Sequence, residues 1–152
     1  MNDYGFGDST VENELNRSGA YASVTKGTSM WPLFKTNRDV VILEKCKTEP
    51  KKYDVVLYKT SSGKYLLHRI IKVTPDEFII RGDNTFVPEH VAKDRILAVL
   101  TEYNRKSIRH SVTDTGYRFY SRLWNFIYPI RFVFHKLLGL ARKIYRAIFK
   151  RK

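Results

Sequence analysis

The chain has 152 residues, one cysteine and a formal net charge of +13. This length predicts one domain with a sizeable buried core. The lone Cys46 excludes an intrachain disulfide and a metal site built from several thiolates. No segment approaches about 18 uninterrupted apolar residues, and the first residues lack the basic and apolar regions of a secretory signal. The sequence therefore predicts neither a membrane-spanning helix nor a signal peptide.

The positive charge is concentrated towards the C-terminus. Residues 102–152 contain thirteen Lys or Arg residues against only Glu102 and Asp114, whereas residues 1–17 carry four acids and one base. Basicity is therefore a property of the C-terminal segment rather than of the whole chain.

The first part of the chain divides into a tail and a β domain. Residues 1–20 are polar and lack periodic apolar positions, and we expect a flexible acidic tail there. Residues 21–103 contain short β-branched and aromatic runs separated by turn residues, which predicts a compact, mostly antiparallel β domain. The predicted strand segments are residues 40–43, 55–58, 65–73, 78–80 and 96–100, with hairpin turns at residues 61–64 and 74–77.

The second part has a helical period. Residues 104–116 are predicted to form a polar connector, and residues 117–152 a basic amphipathic helical tail. Its apolar positions recur every three or four residues and are Phe134, Leu137, Leu138, Ala141, Ile144, Tyr145 and Ile148, with Lys and Arg on the opposite side. Pro129 is expected to divide this tail from an aromatic-rich segment before it.

The chemistry of the β domain centres on Ser29, which lies in the segment Gly-Thr-Ser-Met-Trp-Pro. A loop serine alone most often satisfies local backbone groups. His68 adds a second group, because an imidazole with a pKa of about 6.5 suits the acceptance of a serine proton at neutral pH. Asp83, in Arg-Gly-Asp-Asn, is either a turn residue or the group that orients the imidazole. The predicted catalytic residues are Ser29, His68 and Asp83.

Four ordered segments of the chain resemble the successive boxes of type I signal peptidases. They are Gly-Thr-Ser-Met-Trp-Pro, Tyr-Asp-Val-Val-Leu-Tyr, Leu-His-Arg-Ile-Ile and Arg-Gly-Asp-Asn, and the similarity covers residues 23–101. A histidine in the third box is similar to the histidine-base, endoplasmic-reticulum-like branch of that family.

This resemblance implies a signal-peptidase/LexA-like β fold and a division of labour in the site. Ser29 would attack the scissile carbonyl, His68 would accept its proton, and Asp83 would assist the imidazole. The substrate-binding residues implied are Gly27, Thr28, Met30 and Pro32, with Met30 shaping the groove and Pro32 setting the loop. The peptide substrate is expected to bind as an added β-strand.

The chain also departs from the family pattern. Gly27 stands where many relatives have a serine that contributes to the oxyanion hole, so that hole would rely on backbone N–H groups such as that of Ser29. The further acid of the histidine branch has two candidates, Glu89 and Asp94, and both stay outside the predicted site. The LexA-like autopeptidases share the fold but use a lysine base and an N-terminal DNA-binding domain, for which about twenty polar residues are too few.

These observations predict a serine endopeptidase that cleaves a leader or signal peptide at a membrane surface. General preprotein cleavage and processing of one particular leader stay open. No cofactor or metal is predicted, because His90, His110 and His135 share no metal-ligand spacing. The competing interpretation is a catalytically silent module of the same fold that binds a membrane or a protein partner through its basic helix.

The basic tail has three interpretations. It packs its apolar face on the β domain, lies in the interface of an anionic bilayer, or binds nucleic acid. We favour the bilayer, because the tail is both cationic and amphipathic. Nucleic-acid binding is least favoured, since the aromatic residues lie on the apolar side of the helix rather than among its Lys and Arg residues. The expected location is peripheral membrane association, or the cytoplasm if no partner exports the chain.

Overall fold

The computed structural model describes residues 8–149. In this range the chain forms one eight-stranded antiparallel sheet and three α-helices, which confirms the prediction of a mainly β fold with a helical C-terminal part. The elements are α1 (Asp8–Ser18), β1 (Ala20–Val24), β2 (Val40–Lys45), β3 (Val55–Lys59), β4 (Tyr65–Val73), β5 (Glu77–Arg81), β6 (Glu89–Ala92), β7 (Ile96–Arg105), β8 (Ile108–Ser111), α2 (Thr115–Phe126) and α3 (Tyr128–Phe149).

The strands follow the order β1-β2-β7-β3-β4-β5-β6 across the sheet, with β8 paired to β7. The five predicted strand segments fall within β2, β3, β4, β5 and β7, and both predicted hairpin turns join strands that pair antiparallel. Strand β3 is buried on both faces, which explains its uninterrupted apolar run. One core contains Leu57, Leu67 and Leu100, and a second core contains Tyr58, Ile70 and Ile80.

The N-terminal residues differ from the prediction of a flexible tail. Helix α1 buries Val11 and Leu15, which are 0% and 3% exposed and pack in the first core. The two residues are four apart and so lie on one helix face. Glu12 on the same helix accepts hydrogen bonds from Lys59 on β3 and from Tyr65 on β4. The tail prediction is therefore wrong from residue 8 onward, and residues 1–7 lie outside the described range.

The predicted connector is also mostly structured. Strand β7 extends to Arg105 and turns back into β8 through Lys106 and Ser107, whose φ angles of 51° and 65° are those of a tight two-residue hairpin turn. Only residues 112–114 link β8 to α2. The break between α2 and α3 confirms the division predicted at Pro129, which is the second residue of α3 and so interrupts no helical hydrogen bond.

The apolar face of α3 does not pack on the β domain. Phe134, Leu137, Ile144 and Ile148 are all more than half exposed, so the interpretation in which this face covers the β domain is wrong. Within residues 8–149, no helix combines the length and the apolar character needed to cross a membrane.

Candidate active site

Ser29 lies in the loop between β1 and β2, residues 25–39, and buried polar groups close the base of this loop. The Thr25 N–H donates to the Asp39 carbonyl at 2.8 Å. The Asp39 carboxylate, fully buried, accepts the Lys35 N–H at 2.8 Å and pairs with the Arg38 guanidinium at 2.6 Å. Burial alone would raise the pKa of Asp39, but these partners outweigh burial and hold that pKa below its ordinary value. These bonds hold the two ends of the loop in place.

Apolar side chains fix the middle of the same loop. Met30, Leu33 and Phe34 are at most 6% exposed and belong to the first core. The side chain of Met30 therefore supports the loop from inside, and its role in shaping a substrate groove stays a prediction. The Trp31–Pro32 peptide bond is cis, and Trp31 is 53% exposed. Pro32, one of the predicted substrate-binding residues, therefore follows an exposed tryptophan.

Ser29 packs against Gly82, the residue that follows β5. A Cβ added to Gly82 would lie 2.7 Å from the carbonyl oxygen of Ser29 and 3.1 Å from its Cβ, so only glycine fits there. The Asn84 N–H donates to the Ser29 carbonyl at 2.7 Å, and the Asn84 side-chain amide donates to the Thr28 carbonyl at 3.2 Å. The segment 82–84 is therefore the support on which the half-buried Ser29 rests.

Gly27 stands where many signal peptidases, the family that the sequence resembles, carry a serine. Its φ of 74° lies in the left-handed region, where a residue with a Cβ is strained. The serine that many signal peptidases carry at this position would be unfavourable in this loop conformation. Among the described residues, neither the Ser29 hydroxyl nor its N–H makes a hydrogen bond.

His68 lies on β4 and is 3% exposed. Its Nδ1 lies 3.1 Å from a carboxylate oxygen of Glu89 and 3.0 Å from the hydroxyl of Tyr58, which itself donates to the other Glu89 oxygen at 2.8 Å. Because a carboxylate only accepts hydrogen bonds, its contact with Nδ1 requires a hydrogen on Nδ1. In the neutral imidazole with that hydrogen, Nε2 is the basic nitrogen.

The basic nitrogen of His68 is buried and has no hydrogen-bond partner among the described residues. A buried polar atom without a partner costs free energy and is rare in folded proteins. At the same time, the hydrogen bond to His68, joined by that to Tyr58, lowers the pKa of Glu89, so the carboxylate stays ionised opposite the ring. This arrangement suits a general base.

The sheet register places His68 and the support of Ser29 at the same end of the β4–β5 pair. Arg69 on β4 is opposite Arg81 on β5, the last pair in this register, and His68 and Gly82 are the residues next to that pair on the two chain segments. Gly82 in turn packs on Ser29. Ser29 and His68 do not hydrogen bond to each other in this structure; catalytic hydrogen bonds often tighten only when substrate is bound.

Asp83 does not contact His68, which corrects the role predicted for it. Its carboxylate accepts two hydrogen bonds of 2.8 Å from the Arg69 guanidinium and one of 3.0 Å from the Tyr120 hydroxyl. Neighbouring residues of a strand point to opposite faces, so Arg69 and its partner lie on the face away from His68. The acid that contacts the imidazole is Glu89, which lies outside the predicted site.

The Arg69–Asp83 pair is the centre of a buried network beneath the site. Arg69 is fully buried, and its remaining donors reach the Tyr53 carbonyl at 2.9 Å and the Ser121 hydroxyl at 2.8 Å. Burial and the nearby Asp83 carboxylate raise the pKa of Tyr120, which therefore stays a hydrogen-bond donor. Helix α2 is thus joined to the residues that flank His68 and Ser29.

The remaining candidates lie apart from this site. His90 pairs with Glu77, His110 stacks on Tyr103 and His135 stacks on Phe86. Asp94 lies in a short 3-10 turn after β6. Within residues 8–149, no three His, Cys, Asp or Glu side chains form a cluster able to hold a metal ion.

Neither the models of known protein families nor the curated protein sequences give a match to this chain. Functional assignment therefore depends on the residues and their geometry.

Proposed function

We propose that the chain is a serine endopeptidase of the signal-peptidase type, with Ser29 as nucleophile, His68 as general base and Glu89 as the acid that orients the base. The observation that supports this proposal most is the state of the buried imidazole. Its Nδ1 is held by Glu89 and Tyr58, and its Nε2 is buried without a hydrogen-bond partner among the described residues. The four segments that resemble signal peptidases contribute both predicted reactive groups.

The mechanism is acyl transfer in two steps. The Ser29 oxygen attacks the scissile carbonyl while His68 Nε2 takes the hydroxyl proton, and the ionised Glu89 stabilises the imidazolium that forms. His68 then gives this proton to the leaving amine as the peptide bond breaks. In the second step, His68 takes a proton from water, the resulting hydroxide attacks the acyl-enzyme, and Ser29 recovers its proton. The Ser29 N–H donates to the oxyanion.

The position of the loop supports an extended peptide as the substrate class. Strand β1 lies at one edge of the sheet and ends at Val24, five positions before Ser29. An extended peptide added to an exposed edge receives main-chain hydrogen bonds along its length. We therefore propose an extended leader or signal peptide as substrate, with cleavage after a small residue.

The place of action is the surface of an anionic bilayer, through the C-terminal arm, which we define as α2 and α3 together. Exposed apolar residues continue from one helix to the other at intervals of four or seven residues. They are Phe119, Phe126, Ile130, Leu137, Ile144 and Ile148, which are 52% to 81% exposed. Residues 115–149 contain seven Lys or Arg residues and no acid. An apolar face flanked by cations fits the interface of an anionic membrane.

The second candidate function is a catalytically silent module that uses the same arm to bind a membrane. The exposed apolar face of the arm favours this silent module, because binding a membrane through that face requires no catalytic residue. The two proposals differ in what happens to a peptide. Both proposals involve binding to an anionic membrane, so the test includes anionic vesicles.

The experiment is digestion of a peptide library by purified wild-type protein and by Ser29→Ala, each with anionic vesicles. Removal of the nucleophile of such a site costs at least about a thousandfold in rate. We expect cleavage after small residues by the wild type only, with the folded state of the variant unchanged. Vesicle binding by both proteins with cleavage by neither would favour the silent module, and equal cleavage by both would exclude Ser29 as nucleophile.

A further inference from the structure

The peptide unit between Asp83 and Asn84 is hydrogen-bonded at both ends. Its N–H donates to the Ser29 carbonyl at 2.7 Å. Its carbonyl oxygen accepts one hydrogen bond from Trp124 Nε1 and one from the Arg131 guanidinium, each at 2.8 Å. A peptide unit is planar and rigid, so a displacement of the carbonyl end also moves the N–H end. The C-terminal arm and the nucleophile residue are therefore bonded to opposite ends of one rigid group.

The two donors on the arm also hold each other. The Arg131 guanidinium carbon lies 3.7 Å from the centre of the Trp124 ring, a close cation–π contact between α3 and α2. A carbonyl that accepts two hydrogen bonds is polarised, which strengthens the bond donated by the N–H of the same unit. The arm thus influences both the position and the strength of the hydrogen bond to Ser29.

The side chain of Asp83 is held in one orientation. The residue is 4% exposed, and its carboxylate is held by Arg69 and Tyr120. With the side chain fixed on one side of the backbone, the orientation of the following peptide unit depends on the donors that its carbonyl finds. Those donors are Trp124 and Arg131.

We infer that Trp124 and Arg131 are positioning residues of the Ser29 site, acting through the Asp83–Asn84 peptide unit. The inference rests on the proposed function and adds to it that the arm sets the place of the nucleophile as well as offering a membrane surface. A shift of the nucleophile by about 1 Å costs up to about a hundredfold in rate. Loss of one of the two donors should therefore slow the chemical step while substrate binding is retained.

The test uses the full chain with three variants. Trp124→Phe keeps an aromatic ring but removes the N–H donor, and Arg131→Met keeps the aliphatic stem but removes the guanidinium. Arg17→Met is the control for loss of one guanidinium, because Arg17 lies on α1, outside the arm, and its side chain is 78% exposed. The first readout is hydrogen exchange of the Asn84 amide by NMR, which does not depend on activity. The second is kcat and KM per active site, with sites counted by a serine-directed covalent probe.

We expect the Asn84 amide to exchange about tenfold faster in Trp124→Phe and in Arg131→Met, with the amides of β3 and β4 unchanged. We also expect kcat per titrated site to fall about tenfold, with KM within about twofold of the wild type. Arg17→Met should match the wild type in both readouts. A merely structural role would reduce the number of titrated sites but leave kcat per site unchanged.

The possible failures are distinguishable. If the exchange rate of the Asn84 amide or kcat per site in both test variants equals that of Arg17→Met, the positioning role is overturned. If the wild type neither cleaves nor labels while the Asn84 amide responds as expected, the link between the arm and Ser29 is supported and the peptidase proposal is overturned instead.

Discussion

Glu89 on β6 contacts Nδ1 of His68 on β4 at 3.1 Å, although the intervening strand β5 separates the two strands in the sheet. Glu89 is paired with Ile80 on β5, and its carboxylate extends across β5 to His68. Tyr58 on β3 joins the pair from the other side. Three strands other than β4 therefore determine the environment of the imidazole: β3 and β6 supply partners, and β5 sets their spacing.

Glu89→Gln should lower kcat by about a hundredfold or more at neutral pH while the fold is retained. The amide of Gln is able to donate to Nδ1 and so to favour the wrong imidazole tautomer, and it does not stabilise the imidazolium. Steady-state kinetics on the best library peptide measure the effect. Glu77→Gln is the matched control, since Glu77 contacts Nδ1 of the exposed His90 at 2.6 Å on the same sheet. Equal activity of the two variants would remove Glu89 from the site.

Gly82→Ala should reduce cleavage by about tenfold to a hundredfold, because the new methyl group would lie 2.7 Å from the Ser29 carbonyl oxygen, and a backbone atom is not easily displaced. Gly116→Ala is the control, since an added Cβ there meets nothing within 4 Å. Kinetics and thermal unfolding of both variants provide the comparison. Wild-type rates for Gly82→Ala would mean that the support of Ser29 is not needed for catalysis.

The strands were predictable because alternating or continuous apolar runs bounded by turn residues carry a local signal. Helix α1 was not, since its described buried positions are only Val11 and Leu15, set among polar residues. Its burial depends on contacts with distant strands, including the one between Glu12 and Lys59. Propensity and periodicity do not report such tertiary contacts.

The site was predictable in part for a similar reason. Ser29 and His68 lie in recognisable local segments, whereas the choice between Asp83 and Glu89 depended on strand register. A change of one residue in register moves a side chain to the other face of the sheet. Asp83 lies on the face of Arg69, and only the pairing of β5 with β6 brings Glu89 to His68. The sequence alone does not specify that pairing.

Leu15→Ala should lower the free energy of unfolding by about 2–5 kcal/mol, because Leu15 is 3% exposed in the first core. Leu140→Ala, at a leucine that is 56% exposed, should change it by less than about 0.5 kcal/mol. Urea unfolding followed by circular dichroism measures both. A loss of unfolding free energy below about 1 kcal/mol for Leu15→Ala would be smaller than a buried leucine normally causes. It would indicate that α1 is not part of the folded domain.

Replacing Arg142, Lys143 and Arg146 together by Gln should weaken binding to anionic vesicles by about a hundredfold at low salt. Each basic residue near an anionic surface contributes about 1 kcal/mol, so three contribute about 3 kcal/mol. Co-sedimentation with vesicles of anionic and of neutral lipid measures the difference. Replacement of Lys47, Lys64 and Lys72 by Gln changes the net charge equally and should leave binding nearly unchanged. Similar losses in both triple variants would mean that net charge, not the arm, controls binding.

The most direct measurement of the central claim is reaction of the folded protein with a fluorophosphonate probe, read by intact mass and by mapping of the modified peptide. We predict one adduct on the wild type, located on Ser29, with none on Ser29→Ala and a much slower reaction in Glu89→Gln than in Glu77→Gln. A folded wild type that carries no adduct, or an adduct that persists in Ser29→Ala, would contradict the assignment of Ser29 as an activated nucleophile.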